Sequence, residues 1–363
     1  MFNWQFSQSC SSSILKELHI TVKYFHDCLY ILDGCFNQLE KFFVNIDFIY
    51  NQSSTINDQE KLPNMKYFSL TCKDATLEYY ELIVPLLHRM SNLESLALYL
   101  MVSNHFMDER FIDGNDLKEN IINHLPRLKK FAFNIHSRTF FLNEIYLPSN
   151  ADIRNTFTNF KDNQIVCSVD YSRREKVGQC HIYSLPYTIL FYNNITNNFP
   201  GGLFKSVRQI SLCDEHPFEH EFFIQIAEAF PYLKKLRLTN TQSQQHKHSQ
   251  SSKDAKKKEY PIIKYSHLTE LDLFLVHNDY IEQFLDLTKT NLSKNFKLSV
   301  EYKSLRLVTD NFTRETTRMN CSKINNIQFY DRISTIPEHF QMYFPRMKYR
   351  SLLSYFDINY SSR

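Results

Sequence analysis

Apolar residues recur along this chain in one short spacing. In 230–240, FPYLKKLRLTN, Leu233 is followed by Leu236 three positions on and by Leu238 two after that. Leu236 and Leu238 alternate with Lys235 and Arg237, the period-two pattern of a strand buried on one face. The same spacing occurs at Leu15, Leu18 and Ile20, at Leu39, Phe42 and Val44, at Met65, Phe68 and Leu70, at Leu93, Leu96 and Leu98, and at Leu128, Phe131 and Phe133. It returns at Val207, Ile210 and Leu212, at Leu268, Leu271 and Leu273, more poorly at Leu298 and Val300, and last at Ile324, Ile327 and Phe329. Most first positions lie about 24 to 35 residues apart, enough for one strand and one helix per unit.

Helical periodicity fills the intervals. Phe25, Cys28, Leu29 and Leu32 mark one face within 24–36, and Leu77, Tyr80, Val84 and Leu87 mark one side of 74–90, where Pro85 should bend or split the helix. Phe222, Phe223, Ile226 and Phe230 do the same within 219–230, and a further helix is expected over 279–287. The pattern lapses over 137–206. There Ser149 and Asp152 have the spacing of a capping box before a helix to about 160, and Ile165, Cys167, Val169 and Tyr171 alternate ahead of a turn and a second strand-like run, 180–185. This segment reads as a degenerate repeat carrying a hairpin insertion. The polar run 242–259 reads as a disordered loop and 337–363 as a C-terminal cap. The expectation is a single α/β solenoid over 1–363, with parallel strands on its concave face and helices on its convex face.

Composition adds limits. Hydrophobic residues make up 43% of the chain and aromatic ones 15%, with only 5 Gly, so the sequence can build a large core and is not low-complexity. A formal charge of +3 is too slight to imply a nucleic-acid or membrane partner. The first ten residues, MFNWQFSQSC, lack the pattern of a signal peptide, and no apolar run approaches the length of a membrane span. The 8 Cys are scattered without a C-x-x-C pair, which fits a reducing, cytoplasmic compartment, with the nucleus as the alternative. The sequons at Asn194, Asn291 and Asn311 would matter only in a secreted protein.

Through these repeats the chain resembles the leucine-rich repeat superfamily over about residues 15–329. Its irregular steps and the lead-ins LPNMKYF, LPRLKKF and FPYLKKL are most similar to the F-box leucine-rich repeat proteins. The family places Asn or Cys eight residues after the first Leu, where its side chain bonds the turn backbone. Here those positions hold Lys23, Asp47, Lys73, Met101, His136, Glu215, Thr241, Val276 and Arg332, so a weakened polar ladder is expected. Nothing near the N-terminus resembles an F-box, which would make the chain a fragment or a variant of such a protein.

The chemistry of enzymes finds little purchase. Glycines at 34, 114, 178, 201 and 202 cannot form G-x-G-x-x-G, a P-loop or G-x-S-x-G, and no cofactor is expected. His216 and His220, with Glu219 and Glu221 beside them, have a spacing that could hold a metal, but Pro217 puts His216 outside the helix and no third ligand is near. His246 with His248, and Cys167 with Cys180 and His181, are read as loop and packing residues rather than ligands. Lys256 to Lys258 reads as solvated loop rather than a nuclear signal. No catalytic or metal-binding residue is assigned.

What remains is the outward strand face. Tyr67, Tyr99, Lys130, Lys235, Arg237, Glu270, Asp272 and Phe274 fall at its alternate positions, and Tyr, Phe and Arg are anchor types at protein interfaces. The resemblance implies a non-enzymatic, monomeric module that captures a protein as the substrate-recognition region of a ubiquitin ligase does, with ligase subunits among its partners. The alternative is a free-standing scaffold or inhibitor of the ribonuclease-inhibitor kind. The bland alternative, in which these residues only solvate the sheet or pair with one another, stands beside both.

Overall fold

The computed structural model describes residues 12–36, 38–50, 61–103, 110–140, 147–158, 160, 164–245, 260–331, 333, 336–347 and 353–354. His246, His248, Lys256 to Lys258, Arg332 and most of the expected cap lie outside them. The chain falls into two compact units, Met1–Pro186 and Tyr187–Arg363. Each is mixed α/β and built on parallel strands.

In the first unit β1 (Glu17–Tyr24), β2 (Lys41–Phe48), β3 (Tyr67–Thr76), β4 (Ser95–Ser103) and β5 (Lys130–Phe140) lie side by side in chain order, all parallel. Parallel neighbours require a crossover, and helical turns such as Phe25–Tyr30 and Gly114–Asn120 supply it. A hairpin of β6 (Ile165–Ser172) and β7 (Val177–Ser184) ends the sheet, with β7 antiparallel to β5. Burial alternates along each strand. In β4, Leu96, Leu98, Leu100 and Val102 are buried under the helical side, while Ser95, Ala97, Tyr99 and Met101 face the other way. Each such leucine contributes about 1.5–3 kcal/mol by leaving water.

The second unit contains β8 (Phe191–Ile195), β9 (Gln209–Cys213), β10 (Lys235–Asn240), β11 (Ile263–Tyr265), β12 (Glu270–Val276), β13 (Thr290–Leu292), β14 (Phe296–Val300), β15 (Ile324–Phe329) and β16 (Leu353–Ser354). β11 and β13 pair only with each other; the rest form one parallel sheet in chain order. Leu233, Leu236 and Leu238 are all buried, as are Leu268, Leu271 and Leu273. Buried with them are Phe222, Phe223 and Ile226 of the helix His220–Ala229 and Tyr280, Ile281 and Phe284 of the helix Asn278–Leu285, with the Phe223 ring edge-on to Tyr280 and Phe284. No helix among the described residues is long and apolar enough to cross a membrane.

Two helices differ from their expected spans: the one after Ser149 ends at Asn155 rather than about 160, and the one expected over 74–90 begins late. Instead of starting at 74, the chain stays in β3 through Thr76, and the first helical residue is Tyr79. The buried Thr76 hydroxyl donates to the Ile49 carbonyl at 2.8 Å and accepts from the Glu78 amide at 3.0 Å, which holds the strand extended and turns the chain afterwards. Leu77 is consequently 44% exposed, and Tyr79, Leu82 and Ile83 take the buried face. Pro85 does divide this helix: a wide π turn, Tyr79–Ile83, precedes it and a regular α turn, Val84–His88, contains it. At Ser149 and Asp152 the capping box is complete, with amide-to-side-chain bonds of 3.2 and 2.9 Å.

Two sets of polar contacts tie neighbouring strands together. At the entrance to the first unit's strands, Lys16 and Lys66 flank Glu40 at 3.1 and 2.8 Å, and Lys129 meets Glu94 at 2.8 Å. The lysine hydrogen bonds hold both carboxyls below the usual range. At the strand exits, side chains bond the preceding turn from positions other than the one the repeat pattern assigns. Asn240, one residue before Thr241, is 2% exposed, donates to the His216 carbonyl at 2.7 Å and accepts from the Gln242 amide at 2.9 Å. Thr76 plays a similar part three residues after Lys73, and Gln244 donates to Phe218 at 2.9 Å. Polar side chains thus bond the backbone at these turns, but from positions other than the expected ones. Asn240→Ala strands a buried carbonyl and an amide, so it is expected to cost about 1–3 kcal/mol in denaturant unfolding, whereas the exposed Thr241→Ala should cost less than about 0.5 kcal/mol.

Candidate functional site

The outward positions of each sheet form a surface of that unit. In the first unit, register places Lys41, Tyr67, Ser95 and Lys130 in one row across β2 to β5, and Phe43, Ser69, Ala97 and Ala132 in the next. Tyr67 is 38% exposed, with the Lys41 ammonium 5.5 Å from its ring centre. That ammonium also donates to Glu17 at 3.0 Å, and Glu17 meets His19 at 2.9 Å. Hydrogen bonds from His19 and then Lys41 hold the Glu17 carboxyl low. His19 stacks on Phe43 with centroids 4.1 Å apart, beside a shallow depression of about 230 Å³ that reaches Asn45 and Ser69. Tyr99 lies opposite Thr71 and Asn134, about 13 Å farther along the strands than the Tyr67 row, so the two tyrosines do not form one patch.

The second unit gathers the other five candidates. Lys235 pairs in register with Glu270, and Arg237 with Asp272. The Lys235 ammonium lies 2.8 Å from Glu270, whose other oxygen is 3.8 Å from Lys297 on β14. Arg237 approaches Asp272 through Nε at 3.7 Å and lies over the Phe274 ring, 5.3 Å from its centre. Tyr330 donates its hydroxyl to the second oxygen of Asp272 and meets Phe274 edge-on at 5.0 Å. Burial lifts the Asp272 carboxyl above its ordinary value, against the opposing pull of Tyr330 and Arg237. Strand pleating explains this convergence: residues two apart share a face, and parallel register stacks them about 4.8 Å from the next strand. The candidates therefore pair with one another, yet the side chains of Lys235 and Arg237 both remain 54% exposed. Lys297 was not among the sequence candidates. Its alternation with Ser299 around Leu298 is the same signal that marks Lys235 and Arg237, hidden by the poor match of that copy.

Other polar clusters are bound up in packing. Among the described residues no three His, Cys, Asp or Glu side chains converge as a metal site. His216 lies 3.4 Å from Asp214, while His220 contacts Gln283 at 3.2 Å and the Pro261 carbonyl at 3.1 Å, so the two rings have different partners. The Cys167 thiol donates to the Asn150 carbonyl at 3.2 Å, and burial raises both it and Cys180. Asp116 takes hydrogen bonds from Tyr79 at 3.1 Å and Tyr80 at 2.7 Å, and burial still holds it above its ordinary value. Compared with protein-family models the chain matches none, and no curated protein matches it.

A buried histidine pair sits beside the first surface. His136 of β5 and His181 of β7 are register partners, stacked 3.5 Å apart, and His181 contacts the Asn134 amide oxygen at 3.0 Å. Burial lowers His136 to about 3 and His181 well below its ordinary value. Both rings are neutral in the fold and take protons only when it opens, so they add no pH dependence above about 6.5 and cost stability as pH falls below it. His136→Phe is expected to flatten the fall in denaturant midpoint between about pH 6.5 and pH 4, and a slope equal to the parent's would show that the pair does not cause it.

Proposed function

We propose that this chain is an irregular leucine-rich repeat solenoid and a non-enzymatic protein-binding module, whose partner docks on the outward strand face of the repeats, concave in such a stack. The observation that carries this reading is the second unit's row of Lys235, Arg237 and Phe274, held in place by Glu270, Asp272 and Tyr330. Anchors already fixed by neighbours lose little side-chain freedom on binding. In support, most of the apolar triplets are buried, with Leu15, Leu18, Ile20 and Leu128 partly so, parallel strands follow one another in chain order, and helices supply the crossovers. Given the resemblance to F-box leucine-rich repeat proteins, substrate recognition for a ubiquitin ligase is the first form of the reading. A scaffold or inhibitor of the ribonuclease-inhibitor kind is the second. Recovery of adaptor and cullin subunits with the tagged chain would favour the first.

The test is site-specific photo-crosslinking in cells, with the reactive residue at Gln209 or Gln328 on the outward face and at Glu228 on the helical side as control. Protein crosslinks are expected from the face and not from Glu228; their absence from both face positions would overturn the proposal. Arg237→Ala or Phe274→Ala should weaken capture of the crosslinked partner about tenfold or more, with melting temperature nearly unchanged, and Tyr67→Ala tests the first unit's face in the same way.

A further inference from the structure

The second unit's strand face carries an excess of cations with no carboxylate between its first entrances. At the first unit's strand entrances lysines and glutamates alternate, Lys16, Glu40, Lys66, Glu94, Lys129, and neutralise one another. The equivalent positions ahead of β9 and β10 are Arg208 and Lys234, and Thr269 precedes β12, so no carboxylate is interposed. Immediately inside them stand Lys235, Arg237 and Lys297 against Glu270 and Asp272. Five cations thus meet two carboxylates over the N-terminal half of these strands. Carboxylates beyond the strand exits are committed elsewhere: Asp214 accepts the Asn197 amide at 2.7 Å, and Asp331 accepts the amides of Tyr302 and Lys303.

Arg237 is the centre of this excess. Its Nε faces Asp272 at 3.7 Å, too long for a hydrogen bond, and the Phe274 ring supports the guanidinium plane. Among the described residues no hydrogen bond engages its terminal nitrogens, and the side chain is 54% exposed. A half-exposed guanidinium with its inner edge toward Asp272 and an aromatic ring beneath it suits a carboxylate taken through two parallel bonds to its terminal nitrogens. Lys234 is exposed one residue before Lys235 and offers a second cation within reach of the same chain segment.

We infer that the second unit's strand face takes an extended acidic peptide running across β9, β10 and β12, with one carboxylate on the Arg237 fork and others along Arg208, Lys234 and Lys235. This rests on the protein-binding reading above and names the partner's chemistry. Glu270 and Asp272 then act as placeholders, keeping Lys235 and Arg237 aimed at the surface until the ligand carboxylates arrive.

Three rhodamine-labelled peptides added to the full chain test this by fluorescence anisotropy: a twelve-residue alternation of Glu and Ser, its Lys and Ser counterpart, and an all-Ser control. Only the Glu peptide is expected to bind saturably, with affinity falling as salt rises. Arg237→Gln and Lys234→Glu, both on exposed side chains, should each weaken it about tenfold. Arg237→Lys keeps the charge but loses the fork, and should fall between. Equal binding of Glu and Ser peptides, or unchanged affinity in both Arg237→Gln and Lys234→Glu, would overturn the inference. The crosslinking separates this failure from that of the broader reading. Face crosslinks that map by mass spectrometry to a segment without Asp or Glu overturn only the acidic-peptide inference, whereas no face crosslinks at all remove both.

Discussion

A parallel strand cannot close a core with its immediate neighbour in sequence. It needs a crossover long enough to return the chain to the same end of the sheet, and that crossover must itself be covered. Leu236 and Leu238 are buried, as are Phe222, Phe223 and Ile226 of the helix that returns the chain from β9 to β10, and Leu271 and Leu273 lie beside the two leucines in register. All the other features considered above depend on this shared burial. It fixes which residues face the helices, and by the pleat it also fixes which residues are left for the opposite face.

That linkage joins packing to the candidate surface. A slip of one residue between β10 and β12 would turn Leu271 and Leu273 outward and bring Glu270 and Asp272 into the core. The pairing of Lys235 with Glu270 and of Arg237 with Asp272 is therefore held by the leucines behind it as much as by charge. Ion pairs between exposed side chains are individually weak, and placement by a rigid sheet is what makes them useful as positioning devices. Burial raises Asp272 even with Arg237 and Tyr330 beside it, so the pair is maintained at some cost to the fold.

Much of the strand pattern was legible in the sequence because period-two alternation is a direct image of one-sided burial. The triplets at Leu39, Met65, Leu93, Val207, Leu233 and Leu268 all proved buried at each of their three positions. Helix starts were less legible. Leu77 and Tyr80 fit a helical face by spacing, yet Thr76 bonds back to the Ile49 carbonyl and delays the turn, a tertiary contact that local periodicity cannot encode. The turn bonds were hidden for a similar reason: the consensus position points to Thr241, while it is Asn240 whose side chain reaches the His216 carbonyl, a contact with the turn after β9 that local spacing does not encode. Sequence spacing identified Lys235, Arg237, Glu270, Asp272 and Phe274 as outward residues. That Tyr330 closes the cluster, across two intervening chain crossovers, required the stacking order of β12, β14 and β15.

The charges at the first unit's strand entrances form a row that has a parity. Lys16, Glu40, Lys66, Glu94 and Lys129 alternate in sign from one strand to the next, and Lys66 also acts on Glu94. Removing a single interior unit brings two like charges into adjacent places, whereas removing two consecutive units restores the alternation.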